Sequence, residues 1–209
     1  MSLLQQLEQG VAELDLDLPN SAEIKLLAYL DLIVKWNRVY NLTAIRDRQK
    51  MLYQHILDCL AVLPHLGTPS SLLDVGSGAG LPGIPLAIAS PETQVSLLES
   101  NHKRTTFLTQ TKIELGFDNV NIVCGRAEDF NPAKGYDVVI SRAFSDLTEF
   151  VRLAIRHCAP DGRLVAMKGL FPDEEIKNLP MGVNVEKSIP IQVPGFDAER
   201  HLIFIKAAL

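Results

Sequence analysis

The chain has 209 residues, of which 47% are hydrophobic and 22% are charged, and its formal net charge is −5. This composition is typical of one globular domain with a substantial core. No apolar run approaches the ~20 residues of a membrane span, and the first residues lack the basic start and apolar block of a secretory signal. We therefore expect a cytoplasmic monomer that contacts no membrane. The cysteines are odd in number and widely spaced, so we expect reduced core residues rather than disulfides or a metal site: Cys59, Cys124 and Cys158.

The charge is unevenly distributed along the chain. Residues 1–34 contain six acidic residues and one basic residue, Lys25, while the rest of the chain carries both signs in equal number. Within that balanced part, the segment 35–50 is basic, with five cations against Asp47: Lys35, Arg38, Arg46, Arg48 and Lys50. Such a segment is either a face for a polyanion or a solvated helix edge, and charge alone does not separate the two.

The first helix is predicted from apolar residues that recur at three- and four-residue steps: Leu3, Leu7, Val11, Leu14 and Leu18. Pro19 ends this stripe. Asn20 and Glu23 then have the spacing of a capping pair for the next helix.

Further helices follow before the pattern changes. The segment 24–34 is apolar on most sides and predicts a sandwiched helix that ends near 41–43, and a third helix is expected over 47–64. We therefore predict a helical extension over 1–66, packed on a core domain over 67–209 within one structural unit.

After residue 70, short apolar segments alternate with amphipathic helices, which predicts a parallel sheet covered on both faces. The expected strands are 72–75, 95–98, 121–123, 137–140 and 164–167, and the expected helices are 83–89, 102–115 and 146–158. Two last strands, 185–193 and 201–205, predict an antiparallel hairpin. The fold class is thus α/β and Rossmann-like, with a mostly parallel sheet of seven strands.

A glycine-rich turn follows the first of these strands. The stretch DVGSGAGLPGIP, residues 74–85, contains four glycines and two prolines. Gly76, Gly78 and Gly80 would let a ligand approach backbone N–H groups at a helix N-terminus. Leu81 stands where a dinucleotide fingerprint has its third glycine, which disfavours a nicotinamide cofactor. Asp74 suits a ligand with a cationic amino group better than one with a pyrophosphate.

Polar residues follow the next three strands at the same predicted edge. Glu99 could accept hydrogen bonds from both hydroxyls of a ribose, and Ala127 with Glu128 falls where an adenine edge would lie. Arg142 comes to the mouth of the same crevice. Together these positions predict a site for a nucleoside with an amino-acid tail, and S-adenosylmethionine fits that description. The alternative from another class is a nicotinamide-dependent oxidoreductase. Absence of NADH binding would exclude it.

Several motifs together resemble the bacterial small-subunit rRNA guanine-N7 methyltransferases, also called the glucose-inhibited division protein B family. The motifs are LLDVGSGAGLPGIPLAI, NLTAIRD, HILDCL, ISRAFSDL and MKG, in order over nearly the whole chain. The resemblance implies methyl transfer from S-adenosylmethionine to N7 of the guanine conventionally numbered 527 in 16S rRNA, within the 30S subunit or an assembly intermediate. It also implies the cofactor contacts Gly76, Leu81, Ala127, Glu128 and Arg142. Glu99 stands where many relatives have Asp, and we keep it with Asp74 and Gly78 as further cofactor residues.

The residues agree with that reaction. Guanine N7 exposes a lone pair, so no proton must be removed, and we assign no general base and no catalytic cysteine. Alignment of N7, methyl carbon and sulfur can supply on the order of 7–11 kcal/mol, with Arg142 in a positioning role. A small-molecule methyltransferase and a non-catalytic rRNA-binding assembly factor remain as alternatives.

Candidate RNA contacts are mostly cations that could also be solvated: Lys35, Arg38, Arg46, Lys103, Arg104, Phe144, Lys168 and Arg200. Phe144 is either a stacking partner for the target base or a core aromatic. His55 and Asp58 lie three apart on one helix, where a surface hydrogen bond between them is the simpler expectation.

Overall fold

One sheet of seven strands runs through the part of the chain after residue 70, as the alternating pattern predicts. The computed structural model describes residues 1–142, 144 and 146–208, so Ala143 and Ser145 of the ISRAFSDL motif, and Leu209, lie outside the described residues. The strands are β1 (Ser71–Val75), β2 (Gln94–Glu99), β3 (Val120–Cys124), β4 (Tyr136–Ser141), β5 (Cys158–Lys168), β6 (Val183–Pro190) and β7 (His201–Ala207).

The strand order is β3-β2-β1-β4-β5-β7-β6. β1 pairs in parallel with β2 and β4, and β4 pairs in parallel with β5. β7 lies antiparallel between β5 and β6. The expected parallel sheet with a closing hairpin is confirmed, and the carboxyl ends of β1 to β4 meet at one edge.

Helices cover both faces of this sheet. They are α6 (Gly83–Ala89), α7 (His102–Leu115) and α8 (Leu147–Ala154), which a 3₁₀ turn over Ile155–His157 extends, and the short α9 (Asp173–Lys177). Because side chains alternate along a strand, Leu72 and Leu73 of β1 enter two different hydrophobic clusters, one on each face. The first two helices match their predicted ranges, whereas α9 was not predicted.

The N-terminal region is helical, and it packs into one of these two clusters. Its elements are α1 (Leu3–Glu13), α2 (Ala22–Tyr40), α3 (Arg48–Met51), a π-helical turn (Leu52–Leu57), α4 (Asp58–Leu60) and α5 (Leu63–Leu66). Leu7, Leu26 and Ile56 are buried in the same cluster as Leu97 and Val138 of the sheet. The division of the chain at residue 66 stays a prediction.

The starts and ends of the first two helices differ from expectation. Helix α1 ends at Glu13 and not near Leu18, because Asp15 adopts a left-handed conformation at φ 52°. The predicted cap on α2 is wrong. Ser21, at φ 63°, precedes the helix without a side-chain cap, and Ala22 N–H donates to Pro19 O at 3.0 Å instead. A backbone turn therefore closes this end without a polar side chain.

Three other expectations about the helical region and the cysteines are corrected. The third helix is interrupted, and Pro64 stands in the first turn of α5, where its missing N–H is not needed. Ile24 is 65% exposed, so α2 is not sandwiched over its whole length. Cys124 is exposed and Cys158 half-buried, which leaves Cys59 as the buried cysteine of the expected set.

Candidate active site

The glycine loop after β1 takes a conformation that favours glycine. Gly76, Gly78 and Gly80 have φ values of 70°, 59° and 91°. A Cβ at Gly76 would meet open space, whereas one at Gly80 would lie 2.6 Å from Cγ1 of Ile84. Backbone conformation therefore requires the first glycine, and close packing against α6 adds a second requirement at Gly80.

Hydrogen bonds to β2 hold this loop. Gly76 N–H donates to Leu98 O at 2.8 Å, and Gly78 N–H donates to Oε2 of Glu99 at 2.9 Å. The other carboxylate oxygen of Glu99 accepts from Asn101 N–H at 2.8 Å, and Arg104 lies 3.6 Å from Oε2. A carboxylate offers about four lone-pair directions, so Glu99 keeps acceptor capacity for a ligand hydroxyl.

A residue of the helical extension also holds the loop. The hydroxyl of Tyr29, on α2, donates to Ala79 O at 2.6 Å, and the Tyr29 side chain is fully buried. This contact is not predictable from the sequence, since an apolar helix gives no sign of which hydroxyl reaches a loop 50 residues away.

Asp74 lies beneath the loop rather than on the wall of a cavity. It is fully buried, and its Oδ2 accepts from Gly83 N–H, the first residue of α6, at 2.8 Å. Its Oδ1 has no hydrogen-bond partner among the described residues. Burial raises the pKa of Asp74 to about 7. The close approach of helix and strand requires Gly83, where a Cβ would lie 2.3 Å from Cδ2 of Leu97.

Two cavities open on either side of Gly76. The glycine-loop cavity, about 240 Å³, is lined by Gly76, Ser77, Gly78, Ala79 and Leu81 of the loop and by Leu42, Thr43, Arg104 and Arg142. The strand-end cavity, about 250 Å³, is lined by Val75, Gly76, Leu98, Ser100, Gly125, Arg126, Ala127, Glu128, Phe144 and Leu153. The predicted cofactor residues thus lie on two joined cavities, apart from Asp74 and Glu99 beneath them.

A third cavity, the arginine cavity, adjoins the glycine-loop cavity at Arg142. Its volume is about 340 Å³, and its lining residues are Ile45, Gln54, His55, Asp58, Arg142, Met167, Lys168, Gly169 and Arg200. The three cavities therefore lie in one row along the carboxyl edge of the sheet, and neighbouring cavities share Gly76 and then Arg142 as lining residues.

Asp58 organises the arginine cavity. Its carboxylate is 2% exposed and accepts from Nη1 of Arg142 at 3.2 Å and from Nε of Arg200 at 2.7 Å. Arg142 Nη1 also donates to Gln54 O, in the π-helical turn, at 3.0 Å. The prediction of a surface hydrogen bond between His55 and Asp58 is wrong, because both side chains are buried and each forms its hydrogen bonds with other residues.

His55 links the arginine cavity to Thr43, which lines the glycine-loop cavity. Its Nδ1 lies 2.9 Å from Gln54 O and its Nε2 lies 2.9 Å from Oγ1 of Thr43. A carbonyl only accepts, so Nδ1 carries the proton and Nε2 accepts from the Thr43 hydroxyl. Burial, aided by the charge of Arg142, lowers the pKa of His55 to about 4, which keeps this ring neutral near pH 7.

The residues predicted to contact RNA fall into two groups. Arg104, Phe144, Lys168 and Arg200 lie on the walls of the three cavities. Phe144 packs on Phe150 with ring centroids 5.2 Å apart, in the strand-end cavity rather than beside Arg200. The others are exposed outside these walls: Lys35, Arg38, Arg46 and Lys103. The geometry thus brings together only part of the predicted set.

Neither a metal centre nor a membrane helix is found in the part of the chain that the structure describes. Within residues 1–142, 144 and 146–208, His, Cys, Asp and Glu side chains form no group of three that could hold a metal ion. No helix in the same ranges is long and apolar enough to span a bilayer.

The strand order and the cavities at the carboxyl edge define the class of Rossmann-like α/β folds, which solved methyltransferases share. A solved structure described as a SAM dependent methyltransferase from Aquifex aeolicus matches with a TM-score of 0.57 and 17% identity, over 75% of this chain and 92% of that one.

Sequence similarity narrows the class to one family. The family model described as rRNA small subunit methyltransferase G, GidB, matches residues 22–203. A relative named ribosomal RNA small subunit methyltransferase G from Chromobacterium violaceum is 53% identical over 95% of both chains. A relative of the same name from Laribacter hongkongensis is 53% identical over 97% of this chain and 98% of its own. The chain belongs to this family, which confirms the resemblance noted from the motifs.

Proposed function

We propose that the protein transfers the methyl group of S-adenosylmethionine to N7 of the guanine conventionally numbered 527 in 16S rRNA. The observation that carries this proposal is the row of three cavities, joined at Gly76 and Arg142. Two of them suit the two ends of the cofactor, and the third, with its cations, suits a nucleotide of an RNA chain.

The residues present fit S-adenosylmethionine. Leu98 and Phe144 give the strand-end cavity apolar walls for an adenine, beside Ala127 and Glu128. Glu99, buried at the end of β2 beneath these cavities, keeps acceptor capacity for a ribose hydroxyl. When bound, S-adenosylmethionine supplies an electrophilic methyl group on a sulfonium sulfur.

The glycine-loop cavity suits the amino-acid end of the cofactor. Backbone N–H groups of a tight glycine loop favour a carboxylate, and Arg104 adds a cation to this wall. The buried hydroxyl of Ser77 has no partner among the described residues, although it lies on the same wall. A polar ligand group would satisfy it.

The arginine cavity suits the acceptor nucleotide. Arginine commonly binds the O6 and N7 edge of guanine with two hydrogen bonds, but N7 must stay free to receive the methyl group. We therefore assign Arg142 and Arg200 to O6 or to phosphate oxygens, and Lys168 to phosphate. These residues orient the base, and alignment of this kind can supply on the order of 7–11 kcal/mol.

We further propose that the protein acts as a monomer on the 30S subunit or an assembly intermediate rather than on naked rRNA. Phosphate contacts dominate the affinity of proteins for RNA, yet the lysine and the arginines of the arginine cavity are already paired with carboxylates. Lys168 bonds to Glu175 at 2.7 Å, Arg200 bonds to Asp58 at 2.7 Å, and the first 34 residues are acidic. Ribosomal proteins would then contribute to docking. Equal activity on protein-free 16S rRNA and on 30S particles would contradict this part.

The test uses 30S subunits from a strain that lacks its own enzyme of this type. These are incubated with the protein and methyl-tritiated S-adenosylmethionine, and the rRNA is then treated with borohydride and aniline, which cleave at 7-methylguanine. One cut at guanine 527 is the expected result. Label without that cut would overturn the atom or the position, and absence of label would overturn the reaction.

A matched pair of variants ties this activity to the site. Arg142→Ala should lose most of the labelling, because the guanidinium joins the glycine-loop and arginine cavities. Arg152→Ala removes an exposed arginine on α8 that makes no hydrogen bond within the described residues, so its labelling should equal that of the wild type.

A further inference from the structure

The segment between β3 and β4 carries Ala127 and Glu128 on the strand-end cavity, but few backbone bonds within it fix its position. Residues 127–129 form one turn, in which Asp129 and Phe130 N–H both donate to Arg126 O, at 3.2 and 3.1 Å. The segment belongs to no strand until Tyr136. Other parts of the molecule must therefore hold its backbone in place.

The 3₁₀ turn after α8 provides those contacts. His157 Nε2 lies 3.1 Å from Ala127 O, and Arg156 Nη1 donates to Glu128 O at 3.1 Å. Arg156 Nη2 donates to Phe130 O at 3.5 Å and bonds to the side chain of Asn131. Two consecutive residues thus bind successive acceptors along 127–131.

The chemistry of His157 indicates that its donor is what the segment uses. The side chain is fully buried, and burial lowers its pKa below the usual value, which favours the neutral ring near pH 7. Because Ala127 O can only accept, Nε2 carries the proton, while Nδ1 is buried without a partner among the described residues. An apolar ring would fill this space beside Phe130 without leaving a buried nitrogen unpaired. The hydrogen bond to Ala127 O is what such a ring would lack.

We propose that Arg156 and His157 are positioning residues of the cofactor site, which hold the carbonyl side of segment 127–131 so that its other side meets the adenine. A trans peptide directs its N–H opposite to its C=O, so the bond from His157 to Ala127 O turns the N–H of Glu128 away from the imidazole. Leu153 of α8, one turn before, lines the same cavity. The proposal rests on the proposed function only in taking S-adenosylmethionine as the occupant.

The test measures binding directly, and it pairs each variant with a control. His157→Phe keeps an aromatic ring without the donor, and His157→Gln restores a donor. Arg156→Ala removes the exposed guanidinium, and Arg152→Ala is its control on the preceding turn. Calorimetry with S-adenosylmethionine and with adenosine should show affinities about three- to tenfold weaker for His157→Phe and Arg156→Ala. His157→Gln and Arg152→Ala should stay within about twofold of the wild type.

Two further measurements separate positioning from a general loss of structure. The KM for S-adenosylmethionine should rise in His157→Phe and Arg156→Ala, while kcat and the KM for 30S subunits stay unchanged. Amide hydrogen exchange of residues 127–131 should accelerate in these ligand-free variants, without change in β1 or β2. Equal adenosine affinity in Arg156→Ala and Arg152→Ala would overturn the proposal, as would a joint fall of kcat and of affinity for both substrates.

The outcome is separable from that of the proposed function. If the wild type binds S-adenosylmethionine but does not label 30S subunits, the rRNA activity fails while the binding and exchange measurements still decide the role of Arg156 and His157. If the wild type binds neither S-adenosylmethionine nor adenosine, both proposals fail.

Discussion

Two buried carboxylates lie in different parts of the site, and their surroundings differ. Asp58, in the arginine cavity, accepts hydrogen bonds from two guanidinium groups. Asp74, beneath the glycine loop, accepts from one backbone N–H and keeps an oxygen without a partner among the described residues. One carboxylate is neutralised by cations from distant parts of the chain, and the other holds a helix end and is bound to no cation of the described residues. The same substitution should therefore have different effects at the two positions: a loss of stability at Asp58 and a pH-dependent change at Asp74.

The largest effect is expected for Asp58→Asn. This change keeps the shape of the side chain but leaves the charges of Arg142 and Arg200 without their anion. Breaking a buried ion pair on one side costs about 3 kcal/mol or more, and we take the lower figure because both guanidinium groups are partly exposed. Urea unfolding should show this loss, and 30S methylation should fall with it. Unchanged stability would show that Asp58 does not hold the cluster.

The next effect concerns Asp74 and depends on pH. Its folded pKa, about 7, lies above the unfolded value of 3.8, so its contribution to stability is fully present below the unfolded pKa and is lost as pH rises through 7. Relative to Asp74→Asn, which does not titrate, the wild type should lose about 2 kcal/mol between pH 5 and pH 7. Urea unfolding of both proteins at several pH values measures the difference. A difference that does not vary with pH would contradict the buried-carboxyl interpretation.

A smaller effect is expected where the helical extension meets the glycine loop. Tyr29→Phe leaves Ala79 O without its donor, which should cost about 1 kcal/mol of stability and weaken S-adenosylmethionine binding several-fold. Tyr40→Phe is the control, because its hydroxyl makes no hydrogen bond within the described residues. Equal cofactor affinities in the two variants would mean that the extension does not support the loop.

The smallest effect is expected at an exposed carboxylate, which is compared with the buried carboxylate of Asp58. Asp31 and Arg48 form an exposed ion pair at 2.6 Å, and exposed pairs contribute about 0–1 kcal/mol. Asp31→Asn should therefore change the free energy of unfolding by less than that amount, in contrast to Asp58→Asn. A loss as large as that at Asp58 would show that burial is not what separates the two carboxylates.

The difference between the two halves of the site also explains what the sequence could predict. The half of the site proposed for the cofactor is formed where β1, β2 and β3 end, so spacing alone could bring Gly76, Glu99 and Ala127 to one edge of the sheet. The arginine cavity depends on contacts of Asp58 with Arg142, 84 positions away, and with Arg200, 142 positions away. No local sequence pattern predicts that one carboxylate meets both arginines. Tyr29, Arg156 and His157 could not be predicted for the same reason, because their hydrogen-bond partners are backbone atoms of distant loops.

The wrong predictions about the helix cap, the third helix and Cys124 have a different cause. Asn20 has the residue type and spacing of a helix cap, but the left-handed Ser21 closes the turn through backbone atoms instead. The apolar pattern over 47–64 could not predict the π-helical turn, because that turn keeps the same side chains buried while it changes the register of the helix. Cys124 was expected in the core, but it is the last residue of β3, where the strand is exposed to solvent.

The position of Arg142 has a consequence for the order of events on the enzyme. Its guanidinium is a wall of both the glycine-loop and the arginine cavity, so the occupant of one cavity alters the surface that the other presents. With cofactor and RNA placed as proposed above, thermodynamic reciprocity requires that each changes the affinity of the other by the same factor. After methyl transfer, the cofactor product has lost its positive charge while the guanine has gained one. The guanidinium would thus favour departure of the newly cationic base, and one side chain would couple chemistry to product release.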